Sequence, residues 1–321
     1  MDTASHLLFG ATLGGLAFLH PEVAAQPGLA QAMLLCTVVG SHAPDFDTIV
    51  RLKSYRHYLR YHRGVTHSLP ALGIWPALIA LPAAWAFGVL ESFWLLYLWT
   101  FGAVVLHVFL DWLNVYGVQC FRPLNRRWHH LDILPLFDPF LFTLHAAGLA
   151  GWLLADWRAA AVFPVIYAAS CVYVLLRMLY QRRLLRRIRS DYAAAETTVQ
   201  LVPGLIWGWG QFLLETEQEY RTGSLLRGRA VLEGAYPKGN GHPAVEATLG
   251  GDSVRTFLGF AEKVHVSISE GQDGFLVQWR DVRFWHNSKL PFGVDVKLDP
   301  DLRIMRERLY WSKKAWDPPY V

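Results

Sequence analysis

The chain has 321 residues, of which 53% are hydrophobic and only 17% are charged, and its formal net charge is +4. The shortage of charge is uneven, because residues 1–181 contain 19 charged side chains and residues 182–321 contain 37. This composition excludes a disordered chain and one uniform soluble domain, and the small net charge argues against a nucleic-acid partner. We therefore expect an integral membrane protein with a soluble C-terminal domain.

Six apolar segments predict membrane helices. A helix needs about 20 apolar residues to span a bilayer, and the last four segments approach or exceed that length. The first two are shorter and span only together with the polar residues at their ends. The six segments are Leu7–Leu19, Leu29–Gly40, Leu69–Leu90, Phe93–Leu110, Ile133–Ala155 and Ala159–Tyr180. They predict a mainly α protein, a polytopic membrane helix bundle of about six helices.

Basic residues are distributed unevenly between the predicted loops. With six helices, loops 41–68 and 112–132 and the segment after residue 181 share one side of the membrane with the N-terminus. These stretches are rich in arginine, whereas the turns on the opposite side contribute only Arg158. Basic loops are retained in the cytoplasm. We therefore expect both termini on the cytoplasmic side of a bacterial-type inner or plasma membrane.

The charged part of the chain begins with a basic run and continues with strand patterns. The run RRLLRRIR at 182–189 follows the last predicted helix, which is typical of a juxtamembrane linker that binds anionic lipid headgroups. Alternating apolar and polar residues between Gly and Asp turns then predict strands. These patterns lie at residues 231–237, 256–269, 274–285 and 292–299. The sequence thus predicts a membrane-embedded domain at 1–181, the linker, and a small, mostly β cytoplasmic domain at 190–321.

Histidine and aspartate side chains interrupt the apolar half, where ionisable groups are costly and usually mark function. His107 and Asp111 are four residues apart on one predicted helix, so they share a helix face and can reach a single metal ion. The predicted topology places the other His and Asp clusters at the same depth, at the cytoplasmic ends of their helices. The candidate metal ligands are His6, Asp45, Asp47, His62, His67, His107, Asp111 and Asp138.

This mixture of imidazole and carboxylate groups suits zinc, with manganese as the alternative, and provides for one or two ions. Such a metal lowers the pKa of bound water and stabilises charge on a phosphoryl oxygen. Arg63 is a candidate to neutralise a substrate phosphate, and Asp47 or Asp138 is a candidate general base. Two simpler interpretations stay open: Arg63 as one more cytoplasmic positive charge, and Asp138 as a helix N-cap.

Five motifs make the chain similar to a known family. They are SHLLFG (5–10), APDFD (43–47), HRGVTHS (62–68), HVFLDWLNVYG (107–117) and LFDP (136–139). In their order and spacing over residues 1–180 they resemble the YdjM-like family of predicted membrane-bound metal-dependent hydrolases, and the β tail is similar to the longer subgroup of that family. The resemblance implies a divalent-metal hydrolase. The ligand order is also similar to that of zinc-dependent phospholipase C, whose remaining His and His-x3-Glu ligands have no clear counterpart here.

Three functions are compatible with these residues. The first is a hydrolase in which metal-activated water cleaves a phosphoester of a lipid or lipid-linked substrate at the cytoplasmic membrane face. The second is a divalent-metal transporter, although transporter sites usually lie near the bilayer midplane. The third is a membrane anchor or sensor whose β domain binds a protein partner and whose metal is structural. Metal content, metal flux and the function of ligand variants separate the three.

Overall fold

The helices and strands follow the division of the sequence into an apolar and a charged part. The computed structural model describes residues 1–192, 197–239, 241–286 and 289–312. Backbone contacts divide the chain into two units. One contains residues 1–49 and 62–178, and the other contains residues 50–61 and 179–321.

The apolar part forms the expected membrane helices. Within the described residues, the α-helices are α1 (Thr3–Leu16), α2 (Pro21–Ala25), α3 (Pro27–Gly40), α4 (Tyr55–Tyr61), α5 (Leu69–Ala86), α6 (Phe93–Trp112), α7 (Pro139–Leu154), α8 (Ala159–Tyr192), α9 (Pro243–Thr248) and α10 (Asp252–Leu258). Helix α5, the stretch Leu90–Trp112 that includes α6, and α8 are long and apolar enough to cross a membrane. Helices α1, α3 and α7 are shorter apolar helices. The predicted helix bundle is confirmed.

Helix α7 begins six residues later than the predicted start at Ile133, because it begins at Pro139. The preceding segment is not helical, and the backbone amides of Ile133 and Leu134 both donate to the carbonyl of Leu113 at 2.8 and 3.0 Å. Proline disfavours helical geometry in the residue before it and is well suited to the first turn of a helix. Pro139 therefore sets the start of α7.

Helix α8 is longer than predicted and includes the basic run. The run at 182–189 was expected as a linker, but it is helical and continues α8 to Tyr192. Leu184 and Ile188 lie one turn apart within it and are buried against the first β-sheet. These two residues form an apolar face on an otherwise basic helix. Packing of this face against the sheet stabilises the helical conformation of the segment.

Small residues allow α1, α3 and α6 to pack closely. A Cβ atom at Gly14 of α1 would lie 2.7 Å from Thr37 Oγ1 of α3, and one at Gly40 of α3 would lie 2.9 Å from Thr100 Cγ2 of α6. These separations are too short for any side chain, so glycine is required at both positions. Close contact through small residues is a common way for helices to associate in membranes. It brings the beginning of α1 and the end of α3 beside α6.

Among the described residues, the charged part contains two antiparallel sheets of four strands each. In chain order the strands are β1 (Thr198–Pro203), β2 (Gly210–Glu215), β3 (Glu219–Leu226), β4 (Arg229–Pro237), β5 (Val264–Gly271), β6 (Gly274–Asp281), β7 (Phe292–Leu298) and β8 (Ile304–Trp311). Each sheet has its strands in sequence order. The first sheet covers the apolar face of the α8 extension, and the second packs against α9 and α10. The expectation of a mostly β C-terminal part is confirmed.

One strand prediction in this part is wrong. Residues 256–269 were expected to be one strand, but Thr256, Phe257 and Leu258 belong to α10 and only Val264–Gly271 forms a strand. Phe257 is fully buried and packs against Phe292 of β7. A short apolar run is compatible with a strand or a helix, and burial of this aromatic ring against the sheet decides in favour of the helix.

Candidate metal centre

Four segments of the unit that contains residues 1–49 and 62–178 bring His and Asp side chains together. His6 lies in α1, and His107 and Asp111 lie one turn apart in α6. The other members follow helix α3 or precede helix α5. Asp45 and Asp47 lie in the 3₁₀ segment Ala43–Leu52, and His62 and His67 lie in the turns that lead into α5. Within the part of the chain that the structure describes, two overlapping groups of these side chains could hold a metal ion.

The first group consists of Asp45, His67, His107 and Asp111, all buried. His67 Nε2 and His107 Nε2 are 3.2 Å apart. Asp45 Oδ1 is 3.6 Å from each of these nitrogens, and Asp111 Oδ2 is 3.4 Å from His67 Nε2 and 3.5 Å from His107 Nε2. Ligand atoms roughly 2.0–2.1 Å from a tetrahedral zinc ion are about 3.4 Å from one another. These five separations are close to those expected around a tetrahedral metal ion.

Hydrogen bonds orient the imidazoles of this group. His107 Nδ1 is 2.7 Å from the Ser41 carbonyl, which can only accept, so Nδ1 carries the proton. Thr66 Oγ1 donates to Asp47 Oδ2 at 2.6 Å and therefore accepts from His67 Nδ1 at 3.0 Å. In the neutral form of both rings, Nε2 therefore has a lone pair that faces the site. Partners of this kind hold metal-binding histidines in the correct tautomer.

Several buried polar atoms of the centre have no hydrogen-bond partner among the described residues. They are Asp45 Oδ1, Asp111 Oδ2 and His6 Nδ1. Buried polar atoms are nearly always paired, because losing water without a replacement costs about 1–3 kcal/mol each. The two unpaired carboxylate oxygens belong to the first group and face the imidazole lone pairs. Four atoms with lone pairs that converge on one point can bind a cation. These side chains are therefore suitable ligands for a divalent metal.

The second group consists of Asp45, Asp47 and His62 and is closer to the surface. His62 Nδ1 lies 2.7 Å from Asp47 Oδ1, and His62 Nε2 lies 3.9 Å from Asp45 Oδ1. The side chain of His62 is 15% exposed, whereas those of His67 and His107 are fully buried. Asp45 is common to both groups. Three protein ligands leave coordination positions open, as catalytic metal sites require.

His6 lies against the first group. Its ring stacks on that of His107 with centroids 3.8 Å apart, and its Nε2 is 3.3 Å from Asp111 Oδ1. The amine of Met1 also contacts Asp111 Oδ1. Of the eight predicted ligands, seven are thus brought together: His6, Asp45, Asp47, His62, His67, His107 and Asp111.

Asp138 is not brought into either group. It is the N-cap of α7, where Oδ1 accepts from the Leu141 amide at 3.0 Å and Oδ2 accepts from the Tyr173 hydroxyl at 2.9 Å. Both oxygens are therefore used in capping and packing. The predicted roles of Asp138 as a metal ligand and a general base do not fit this position, and the alternative interpretation as a helix cap does.

Arg63 also has a different position from the expected phosphate clamp. It is buried, with Nη2 2.9 Å from Asp111 Oδ1 and Nη1 3.1 Å from Asn114 Oδ1. Its own backbone amide donates to Asp47 Oδ2 at 3.2 Å, from a left-handed conformation with φ of 59°. Arg63 thus contacts a carboxylate of each group: its guanidinium pairs with Asp111 of the first group, and its backbone amide donates to Asp47 of the second. These contacts make it a positioning residue.

Sequence reasoning missed Ser41 and Thr66, which orient candidate ligands, and Asn114, which accepts a hydrogen bond from Arg63. Ser41 acts through its backbone carbonyl, which any residue could supply, so no sequence signal could have identified it. Thr66 and Asn114 lie within the HRGVTHS and HVFLDWLNVYG motifs beside the ligands, and this position was the available signal.

Comparisons with known proteins agree with this architecture. A family model described as "YdjM inner membrane protein" matches residues 1–184, and one described as "YfhP C-terminal alpha/beta plait domain" matches residues 243–317. The chain is 32% identical over 317 residues to "Uncharacterized protein YfhP" of Bacillus subtilis (strain 168), a match that covers 97% of this chain and 95% of the relative. No solved structure gives a significant match. The resemblance drawn from the motifs is confirmed: the chain belongs to the YdjM family of inner membrane proteins, in a longer form with a YfhP-type C-terminal domain.

Proposed function

We propose that the protein is a metal-dependent hydrolase that cleaves a phosphoester in a lipid or lipid-linked substrate. The observation that carries the proposal is the arrangement of His67 and His107, whose Nε2 lone pairs converge with two unpaired carboxylate oxygens. A bound divalent metal would lower the pKa of a coordinated water and stabilise negative charge on a phosphoryl oxygen. The donor set favours zinc, with manganese as the alternative.

The residues around the centre have separate roles in this proposal. Asp45, His67, His107 and Asp111 hold the first ion. Arg63 orients Asp111 through its guanidinium and Asp47 through its backbone amide. His62 and Asp47 form the more exposed edge of the centre, where the substrate would arrive. Asp47 Oδ1 would accept a hydrogen bond from His62 Nδ1. If the protein binds two ions per chain, His62 and Asp47 would hold the second ion. If it binds one ion, they would transfer a proton instead.

We also propose that the centre lies at the cytoplasmic face of the membrane. His6 is near the beginning of α1 and Asp111 is near the end of α6. The centre therefore joins helix ends on the side of the arginine-rich loops, which the positive-inside rule assigns to the cytoplasm. Reporter fusions at the C-terminus test the orientation. A reporter active only outside the cytoplasm would overturn it.

The position of the ligands at helix ends also argues against a metal transporter, whose site is expected near the bilayer midplane. A structural metal is the second candidate, because four protein ligands in the first group can fill a tetrahedral coordination shell. In that case the second group would have no ion and no catalytic role. The two candidates differ in what His62 does, since His62 belongs only to the second group.

The test uses full-length protein purified in detergent. Metal content is measured by mass spectrometry, and phosphoester cleavage is measured on a nitrophenyl phosphodiester and on phospholipids. We expect His67→Ala and Asp111→Ala to lose metal and activity, and His62→Ala to lose activity while keeping the ion of the first group. His20→Ala, an exposed histidine outside both groups, is the matched control. Full metal content in both His67→Ala and Asp111→Ala would overturn the site, and no cleavage of any phosphoester by the metal-loaded protein would overturn the hydrolase.

A further inference from the structure

A groove of about 430 Å³ lies beside the candidate metal centre and has no assigned role. It runs along the first half of α5, and its apolar walls include Ile74, Trp75 and Leu78. Ile74 and Leu78 are 55% and 61% exposed, so the groove is open along the side of a membrane-spanning helix. Its size is that of ordinary small-molecule sites, about 300–1,000 Å³.

The groove lies next to the metal centre and shares its wall at residues 66–68. Thr66 and Ser68, which flank the ligand His67, form part of its wall. The Thr66 hydroxyl donates to Asp47 at 2.6 Å, and the Trp75 indole donates to the Thr66 carbonyl at 3.0 Å. One residue thus separates the groove from ligands of both groups. A molecule in the groove would therefore lie one residue away from the metal centre.

The other chemical feature of the groove is a pair of arginines. Arg122 and Arg126 line it near the beginning of α5, where the Leu69 amide donates to the Arg122 carbonyl at 3.2 Å. Arg122 Nε is buried and has no hydrogen-bond partner among the described residues. Burial and the nearby Arg126 both lower the pKa of the Arg122 guanidinium. Two close cations with an unpaired buried donor attract an anion.

We propose that this groove binds a glycerophospholipid, with one acyl chain along α5 and an anionic phosphate headgroup at Arg122 and Arg126. From Pro70 to Leu78 the groove follows α5 for about 12 Å, which accommodates the upper part of an acyl chain. The lipid would enter sideways from the bilayer through the exposed face of α5. This inference rests on the proposed function and names its substrate class and the residues that select it.

The test measures binding without turnover. Full-length protein in neutral detergent is treated with a chelator and titrated with dioctanoyl phosphatidic acid, with dioctanoyl phosphatidylcholine and inorganic phosphate as comparison ligands, and followed by native mass spectrometry. We expect one phosphatidic acid per chain and weaker binding of both comparison ligands. The double variant Arg122→Gln/Arg126→Gln should weaken binding at least about tenfold. Arg127→Gln, an exposed neighbour outside the groove, should change it less than about twofold.

A second pair of variants tests the apolar part. Ile74→Trp narrows the groove and should weaken binding of phosphatidic acid, whereas Leu81→Trp, which is 54% exposed on the same helix but outside the groove, should not. Equal binding by both arginine variants, or by both tryptophan variants, would overturn the inference. Lipid binding that depends on the groove but is never followed by cleavage with metal restored would overturn only the proposed function.

A different observation points to a second lipid contact, in the unit that contains residues 50–61 and 179–321. The loop between β1 and β2 exposes three large apolar side chains, Ile206, Trp207 and Trp209, at 65%, 40% and 45%. The Trp207 ring packs 5.2 Å from the ring of Tyr180 in α8. Tyr180 is the last residue of the apolar part of α8, before the basic run begins. Tryptophan and tyrosine are enriched where membrane helices leave the bilayer.

We infer that this loop enters the headgroup region of the membrane, next to the arginines of the basic run, which would contact anionic headgroups. The test places a nitrobenzoxadiazole fluorophore at Ile206→Cys in full-length protein without its native cysteines, in nanodiscs with or without phosphatidylglycerol. The fluorophore should be shifted to the blue and protected from iodide, more so with phosphatidylglycerol. Met305→Cys, 65% exposed in β8, is the control. Equal quenching at both positions would overturn the inference.

Discussion

Arg63 and Asp111 form a buried ion pair in which Arg63 Nη2 lies 2.9 Å from Asp111 Oδ1. The other oxygen, Oδ2, faces His67 and His107 at 3.4 and 3.5 Å. One carboxylate therefore connects an arginine on one side to the candidate metal position on the other. This arrangement predicts that Arg63 and a bound metal would both neutralise the buried negative charge of Asp111.

The first prediction follows from this pair. Replacing Arg63 by Gln leaves Asp111 without its guanidinium partner, and breaking a buried ion pair costs about 3–5 kcal/mol. A bound metal would compensate part of that charge. We therefore expect the melting temperature of Arg63→Gln to fall strongly after chelator treatment and less in the metal-loaded protein. Arg60→Gln, at an exposed arginine, is the control, and an equal fall with and without metal would contradict the shared role.

The second prediction concerns Thr66, whose hydroxyl bonds both Asp47 and His67. Thr66→Val keeps the shape but removes both hydrogen bonds, so the His67 ring loses its fixed tautomer. Loss of such a partner typically lowers metal affinity about 10–100-fold. The affinity is measured by competition with a zinc chelator. Thr100→Val, at a buried threonine outside both groups whose hydroxyl donates to the Leu96 carbonyl, should leave the affinity unchanged. An unchanged affinity in Thr66→Val would contradict the assignment.

A third prediction concerns the buried ion pair of the second sheet. Arg283 and Asp281 are both fully buried, with Arg283 Nη2 2.7 Å from Asp281 Oδ2. Asp281→Asn removes the fully buried carboxylate partner of the guanidinium and leaves it only the partly exposed Glu262, 3.4 Å from Nη1. The substitution should destabilise this part of the protein by about 3–5 kcal/mol. Denaturant unfolding and limited proteolysis of the full chain measure the effect. Asp252→Asn removes an exposed partner of Arg255 and should change stability little.

The fourth prediction concerns pH. Burial tends to raise the pKa of Glu215, but hydrogen bonds and charge from Lys238 and Lys263 outweigh it, so the pKa is lowered from its ordinary value. A carboxyl whose pKa is lower in the folded state contributes stability above its unfolded pKa of about 4.3 and loses it as the pH falls through the folded value. Glu215→Gln should therefore be less stable than the wild type at pH 7.

The same comparison below about pH 4 provides the internal control, because protonation of the wild-type carboxyl removes its charge there. The difference in unfolding midpoint between wild type and Glu215→Gln should shrink as the pH falls. A difference that is the same at pH 7 and in acid would show that the contact with Lys238 and Lys263 is not electrostatic.

Most of the candidate site could be predicted from the sequence, because the ligands belong to short motifs with strong local constraints. His107 and Asp111 share a helix face by their spacing alone, and the membrane topology brought the other clusters to the same level. Asp138 shows where this reasoning ended. A carboxylate before a proline at a helix start suits both a ligand and an N-cap, and only the positions of Leu141 and Tyr173 distinguish the two.

The composition and motifs by themselves determined the membrane class, the helix bundle, the β character of the C-terminal part and seven of the side chains that meet at the candidate metal centre. Hydrophobic length and residue type are local properties, so they can be read along the chain. The role of Arg63 as a partner of Asp111, the tautomers of His67 and His107, and the groove along α5 were decided by the tertiary structure. Each depends on atoms far apart in sequence, which only the close packing of α1, α3 and α6 and the turns before α5 bring within hydrogen-bonding distance.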